Sequence, residues 1–178
     1  MKISAQEEYG LRILLRIAKC PAHESMSIQA LSVLEGLSQA YVAKLTRILR
    51  QAGIINSTPG NVGGYILAKP ADEININTVL KTLGGSLFNK EFCNDYSGVS
   101  KFCTNSVDCS ARSLWQMIQY TVDQLLDKVT LAQLSGSEET SSQVLKTILL
   151  GDQSFSGKIG LLEEQVSIDY KEPNDGNQ

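Results

Sequence analysis

The sequence predicts a mainly α-helical protein, a winged helix-turn-helix with a long C-terminal dimerisation helix. Three patterns carry that reading: short amphipathic segments punctuated by Pro21 and Gly36, a Gly-rich hairpin signal between Ile54 and Leu67, and an extended apolar stripe after Ser110. The order helix, short helix, turn, capped helix, hairpin is that of the winged motif. A length of 178 residues suits one substantial domain with an accessory element. With 42% hydrophobic and 20% charged residues, the composition is that of a folded chain rather than a disordered one.

The first helix is expected from about Gln6 to Lys19, with Ser4 as N-cap and Leu11, Leu14, Leu15 and Ile17 supplying a buried face. Pro21 closes it. A short second helix follows from about Ile28 to Leu34 and stops near Gly36. Ser38 is placed to cap a third helix that runs to about Ala52. In it Val42, Leu45 and Leu49 recur at helical spacing, while Gln39, Ala43, Arg47 and Arg50 point the other way, with Lys44 flanking. Gly53 ends that helix, and two short apolar runs, Ile54-Ile55 and Tyr65 to Leu67, enclose Pro59, Gly60, Gly63 and Gly64 as a hairpin.

A fourth helix is expected from about Ile76 to Leu83, ended by Gly84-Gly85. The stretch from Phe88 to Cys109 has no sustained periodicity and reads as a loop rich in Asn, Asp, Ser and Gly. A long helix is then expected from about Ser110 to Leu134, striped by Leu114, Ile118, Val122, Leu125 and Val129. That stripe suits pairing with a second copy of the chain, because helix-turn-helix proteins commonly read two half-sites with two-fold symmetry. A polar break and a short helix from about Ser142 to Leu150 follow. The chain is thus expected to divide into a winged helix-turn-helix domain over 1–70, a linking helix and cysteine loop over 71–109, a dimerisation region over 110–150, and a frayed tail over 151–178.

The net charge of −3 conceals an asymmetry: residues 1–70 carry eight Lys or Arg and four Asp or Glu, and the remainder carry eight and fifteen. Any phosphate-facing surface is therefore confined to the first 70 residues. Ser38, Gln39, Tyr41, Lys44, Arg47 and Arg50 on the third helix, with Asn61, Gly63 and Gly64 in the wing, are the expected contacts with double-stranded DNA. A protein-interaction module is the rival from another class. An enzyme fits poorly, because the chain has no phosphate loop or hydrolytic constellation, and its one histidine, His23, reads as a surface loop residue. The absence of a signal-peptide pattern and of an apolar run near 20 residues predicts a cytoplasmic protein without membrane attachment. Thiols there stay reduced, so clustered cysteines lean toward metal binding or redox sensing.

Taken together, "MKISAQEEYGLRILL", "LSQAYVAKLTRILRQAGII", "GNVGGYILAKP" and the cysteines leading into "LW" resemble the IscR/NsrR-type family of bacterial winged helix-turn-helix repressors, many of which bind an iron–sulfur cluster. The resemblance runs from Met1 to about Leu134. It implies a homodimeric transcriptional regulator, with Cys93, Cys103 and Cys109 as ligands of a 2Fe–2S or 4Fe–4S cluster that gates operator affinity. Glu8 of the partner subunit is the implied fourth ligand, with Asp95, Asp108 or water as alternatives.

Soft thiolates suit iron–sulfur clusters. Zinc, a reversible thiol switch and inert core cysteines stay open as alternatives. The chain departs from the family pattern in several places. Nine and five residues separate the three cysteines, a wider first interval than in the best-known members. Arg112 stands where some members place a histidine ligand, and arginine has no lone pair to give. Pro59 stands where the wing commonly has arginine, and Ala43 where the best-known member carries an acidic residue that discriminates site classes.

Overall fold

The computed structural model describes residues 3–21, 24–59, 63–88, 103, 105 and 107–150. Along them run α1 (Ala5–Ala18), α2 (Ile28–Glu35), α3 (Gln39–Gln51), β1 (Ile55–Ser57), β2 (Tyr65–Leu67), a single 3₁₀ turn (Ala71–Glu73), α4 (Ile76–Gly84), α5 (Ser110–Leu126), α6 (Leu131–Leu134) and α7 (Glu138–Leu150). Cys93, Asn61, His23, Asp95 and the tail over 151–178 lie outside the described residues.

Short polar side chains set where the helices begin. The Ser4 hydroxyl accepts from Glu7 N, and the Glu7 carboxylate accepts from Ser4 N at 2.8 Å, a reciprocal capping box. Ser27 caps α2 through Ala30 N at 3.1 Å, Ser38 caps α3 through Tyr41 N at 3.3 Å, and Asn75 caps α4 through Thr78 N at 3.1 Å. Between α2 and α3 the chain reverses at Gly36, whose φ of 65° favours a residue without Cβ. The Ser32 hydroxyl closes this turn by donating to Leu37 O at 2.5 Å.

One hydrophobic cluster joins these elements: Ile13, Leu14 and Ile17 from α1, Leu31 from α2, Val42, Leu45 and Leu49 from α3, Ile54 and Ile55 at the hairpin, and Val79 and Leu83 from α4. On α1 the buried positions are Gly10, Ile13, Leu14 and Ile17, whereas Leu11 and Leu15 of the expected face are only half-buried. Gly10 is the contact point with α4. A Cβ there would lie 2.4 Å from Leu83 Cδ2, and Leu83 is itself 2% exposed, with little room to move. Gly10→Ala is accordingly expected to destabilise by about 1–3 kcal/mol despite alanine's better helix propensity; urea unfolding reads the difference, and an unchanged midpoint would mean that α4 repacks freely.

The expected 110–134 helix is interrupted. It ends at Leu126, and the chain leaves helical geometry to pair with the strand-like segment before α4. Ile76 N donates to Val129 O at 3.0 Å and Leu131 N to Ile74 O at 2.8 Å, which buries Val129 (2% exposed) and Leu131 (0%) in the main core. Burying two apolar side chains and pairing the main chain outweighs one more helical turn. Val129 therefore belongs to the core rather than to the α5 stripe. Thr130 begins α6, its N–H donating to Gln133 Oε1 at 2.8 Å. The last helix starts at Glu138 rather than near Ser142: the Ser137 hydroxyl accepts from Thr140 N at 3.2 Å, and Glu138 and Glu139 suit the helix N-terminus.

Helix α5 buries none of its residues in the single chain. Leu114, Trp115, Met117 and Tyr120 are exposed. The helix docks on α4 through the Lys81–Asp123 ion pair at 2.8 Å, and Asn77 Nδ2 donates to Asp127 Oδ1 at 2.7 Å. Burial pushes the Asp123 carboxyl up, but hydrogen bonds from Lys81 and Gln119 and the Lys81 charge together hold it below the usual carboxylate range. No helix among the described residues is long and apolar enough to cross a membrane.

Candidate nucleic-acid interface

Helix α3 has two chemically opposite faces. Val42, Leu45, Thr46 and Leu49 are buried, the Thr46 hydroxyl being satisfied by Val42 O at 3.0 Å. Gln39, Lys44, Arg47 and Arg50 are exposed, Tyr41 and Ala43 are half-buried, and Ser38 is an exposed cap. A helix anchored on one side by the core and bearing three exposed cations on the other can enter a groove of duplex DNA.

The ladder of β1 and β2 pairs Ile55 with Leu67 and Ser57 with Tyr65. Met26 extends it: Met26 N donates to Tyr65 O at 3.0 Å and Tyr65 N to Met26 O at 2.9 Å. This bridge fastens the wing to the segment before α2. Gly63 is exposed, as a groove contact requires, but Gly64 is buried. Its N–H donates to Thr58 Oγ1 at 2.9 Å, and a Cβ would lie 2.8 Å from the Met26 main chain. Gly64 thus has a packing role that the sequence reading did not assign to it.

A charged cluster outside the expected site ties α1 to the helix pair. Glu35, at the end of α2, receives Arg12 Nε at 2.7 Å and Arg16 Nε at 2.5 Å. Arg12 also lies over the Tyr9 ring, Tyr9 meets Tyr41 edge-on at 6.1 Å, and Lys44 lies over Tyr41. The i, i+4 spacing of the arginines placed them on one face of α1, but nothing in the sequence paired them with a residue 19 and 23 positions away.

Of the expected sulfur ligands, Cys103 and Cys109 are free, half-buried thiols. Cys109 sits at the N-cap of α5, where Sγ accepts from Arg112 N at 3.4 Å. The Arg112 guanidinium donates to Asn105 O at 3.1 Å, so this position braces the segment where some relatives place a ligand. Glu8 is exposed in the first turn of α1, while its neighbour Glu7 does the capping. Asp108 is exposed beside Cys109. The fourth cysteine, Cys20, stands apart beside a cavity of about 540 Å³ at the foot of β2. Burial, reinforced by Glu24, pushes its thiol above the usual thiol range. Among the described residues no group of three or more His, Cys, Asp or Glu is arranged to hold a metal ion.

Residues 3–137 match the family described as "Rrf2: Iron-dependent Transcriptional regulator". The chain belongs to the Rrf2 family. Like other Rrf2 proteins it is a non-catalytic, DNA-binding transcriptional regulator. It is 34% identical over 134 residues to Protein rrf2 of Nitratidesulfovibrio vulgaris, covering 75% of this chain and 87% of that one. It is 30% identical over 135 residues to the regulator CymR of Bacillus subtilis, covering 76% and 90%. The solved B. subtilis CymR structure superposes with a TM-score of 0.60 at 28% identity, over 76% of this chain and 96% of that one. T. potens IscR does so with 0.57 at 26% identity, over 74% and 84%.

Proposed function

We propose that this Rrf2-family regulator represses transcription as a homodimer, with α3 reading the major groove and Cys93, Cys103 and Cys109 as its sensing element. The observation that carries the coupling is Cys109 at the N-cap of α5, the helix whose exposed Leu114, Trp115, Met117 and Tyr120 would pack against a second copy. Chemistry at that sulfur acts where α5 begins. A change there alters how α5 pairs and hence the spacing of the two α3 helices. Each tenfold change in operator affinity needs only about 1.4 kcal/mol of coupling.

On the contact side, Gln39, Lys44, Arg47 and Arg50 meet bases and phosphates, Ser38 and Tyr41 approach the backbone, and Asn61 and Gly63 are the proposed contacts from the wing, with Gly64 setting the wing's position. On the sensing side, thiol donors fit an iron–sulfur cluster by softness, and Cys103 and Cys109 are free and half-buried. Cys93, Cys103 and Cys109 would hold it, with Glu8 of the partner subunit completing the set. A bound cluster would supply a link among the thiolates that breaks under oxidant, nitric oxide or iron shortage.

A second reading has specific support. The similarity extends to CymR, whose solved structure is described as that of the global cysteine regulator of B. subtilis. In that reading the same thiols switch without a cluster, by reversible oxidation or around zinc.

Anaerobic purification with iron, sulfide and zinc analysis separates the two. With a cluster, Cys103→Ala loses iron and sulfide together. Without one, wild type contains neither, and Cys103→Ala loses only the response of DNA binding to oxidant. In both cases Arg47→Ala is expected to weaken duplex binding by about 1–3 kcal/mol, roughly ten- to a hundredfold, with metal content unchanged. A Cys103→Ala protein that still responds normally to iron and oxidant would remove this segment from sensing.

A further inference from the structure

Arg12 and Arg16 share one carboxylate. The Glu35 side chain is 2% exposed, whereas the arginines that cover it are 45% and 46% exposed. Each guanidinium spends its Nε on Glu35, and neither makes a further hydrogen bond among the described residues. One arginine neutralises one glutamate, so the second leaves the group with a surplus positive charge at the surface of α1.

That surface is continuous with α3. Arg12 Cζ stands 5.6 Å from the Tyr9 ring centre, Tyr9 is 6.1 Å from Tyr41, and Lys44 Nζ is 5.9 Å from Tyr41. A chain of contacts, guanidinium to ring, ring to ring and ring to ammonium, therefore connects Arg12 on α1 with Lys44 among the exposed cations of α3. A guanidinium pinned through Nε keeps its outer nitrogens free, and a planar fork of N–H donors matches a phosphate better than an ammonium does. Fixing the two forks before the ligand arrives removes rotamer freedom that binding would otherwise have to quench.

Resting on the reading of α3 as the DNA-facing helix, we propose that Arg12 and Arg16 form a second phosphate-gripping surface, which holds the duplex backbone beside the groove that α3 enters. Glu35 is the positioning residue that sets both forks. Contacts of this kind carry no sequence information and strengthen binding to any duplex, with a steep dependence on salt.

The test is the salt dependence of binding to a fluorescent mixed-sequence duplex about 30 base pairs long, roughly three helical turns, between about 50 and 200 mM salt. Arg12→Gln and Arg16→Gln are compared with wild type, and circular dichroism checks the fold. Each variant keeps one arginine on Glu35, so neither strands the carboxylate. The logarithmic salt slope is expected to become shallower by about one for each arginine lost. Arg12→Lys is expected to recover the slope but only part of the affinity.

Glu35→Gln is expected to weaken binding although it removes a negative charge, since long-range attraction alone would tighten it. Unchanged slopes in both arginine variants, or tighter binding by Glu35→Gln, would overturn the proposal while leaving α3 as the reader. Wild type that binds the duplex without salt dependence would overturn the DNA-facing reading as well.

Discussion

Leu45→Ala is expected to remove about 3–5 kcal/mol of stability, the upper part of the range for Leu→Ala in a rigid core. Leu45 is 0% exposed and shares a single cluster with Ile13 and Leu14 of α1, Leu31 of α2 and Val79 of α4. The lost side chain takes its transfer free energy with it and leaves a cavity, because four helices anchored by side-chain caps and by the Lys81–Asp123 pair cannot all collapse inward. A domain stabilised by about 5–15 kcal/mol survives that loss narrowly. Urea unfolding should show a lower midpoint with an unchanged slope, the sign of altered stability rather than an altered unfolded state. Duplex affinity, measured where the variant is still folded, should change little, since Lys44 and Arg47 beside it lie on the opposite face. Arg47→Ala should invert that pattern. A midpoint shift worth less than about 1 kcal/mol would mean that α3 is held by its caps rather than by its inner face.

This division of one helix into a buried face and an exposed cationic face was legible before any coordinates, because period and capping agree there. Ser38, Val42, Leu45, Leu49 and Gly53 all point to the same helix. Where local and tertiary signals disagree, the sequence misled. The residues Leu126-Asp127-Lys128-Val129 contain no Gly or Pro, so helical propensity carries through them, and the competing partner, the Ile74–Ile76 segment, lies some fifty positions earlier. A local signal did exist: Thr130 followed three residues later by Gln133 is a helix-start pattern, and the structure uses it. No comparable signal marks Glu35. In the sequence it is an ordinary acidic residue near the end of a short helix. Its meaning depends on α1 crossing α2 at an angle that brings Arg12 and Arg16 over it, and hydrophobic periodicity does not encode crossing angles. The thiol segment is the reverse case: Cys103 and Cys109 stand out in the sequence as clustered thiols that the family resemblance marks as ligands, whereas their joint geometry with Cys93 depends on residues outside those described.

Removing both guanidiniums from that cluster, as Arg12→Met with Arg16→Met, is expected to cost about 3 kcal/mol. That is the lower end of the cost of breaking a buried ion pair, because the arginines are half exposed and partly screened. Either single substitution should cost about 1 kcal/mol or less, since the remaining arginine still covers Glu35, so the double variant should exceed the sum of its parts. Adding Glu35→Met should restore most of the loss: a well-packed apolar group in place of a buried ionic one is often neutral or stabilising. Urea midpoints of the singles, the double and the triple variant measure this cycle. The triple variant also separates two roles that the wild-type geometry leaves superposed. If the arginines grip phosphate, the triple variant regains stability but continues to bind duplex DNA weakly and with a shallower salt slope. If stability and affinity return together, the cluster serves only to hold α1 against α2, and Lys44 and Arg47 meet the duplex without help from α1.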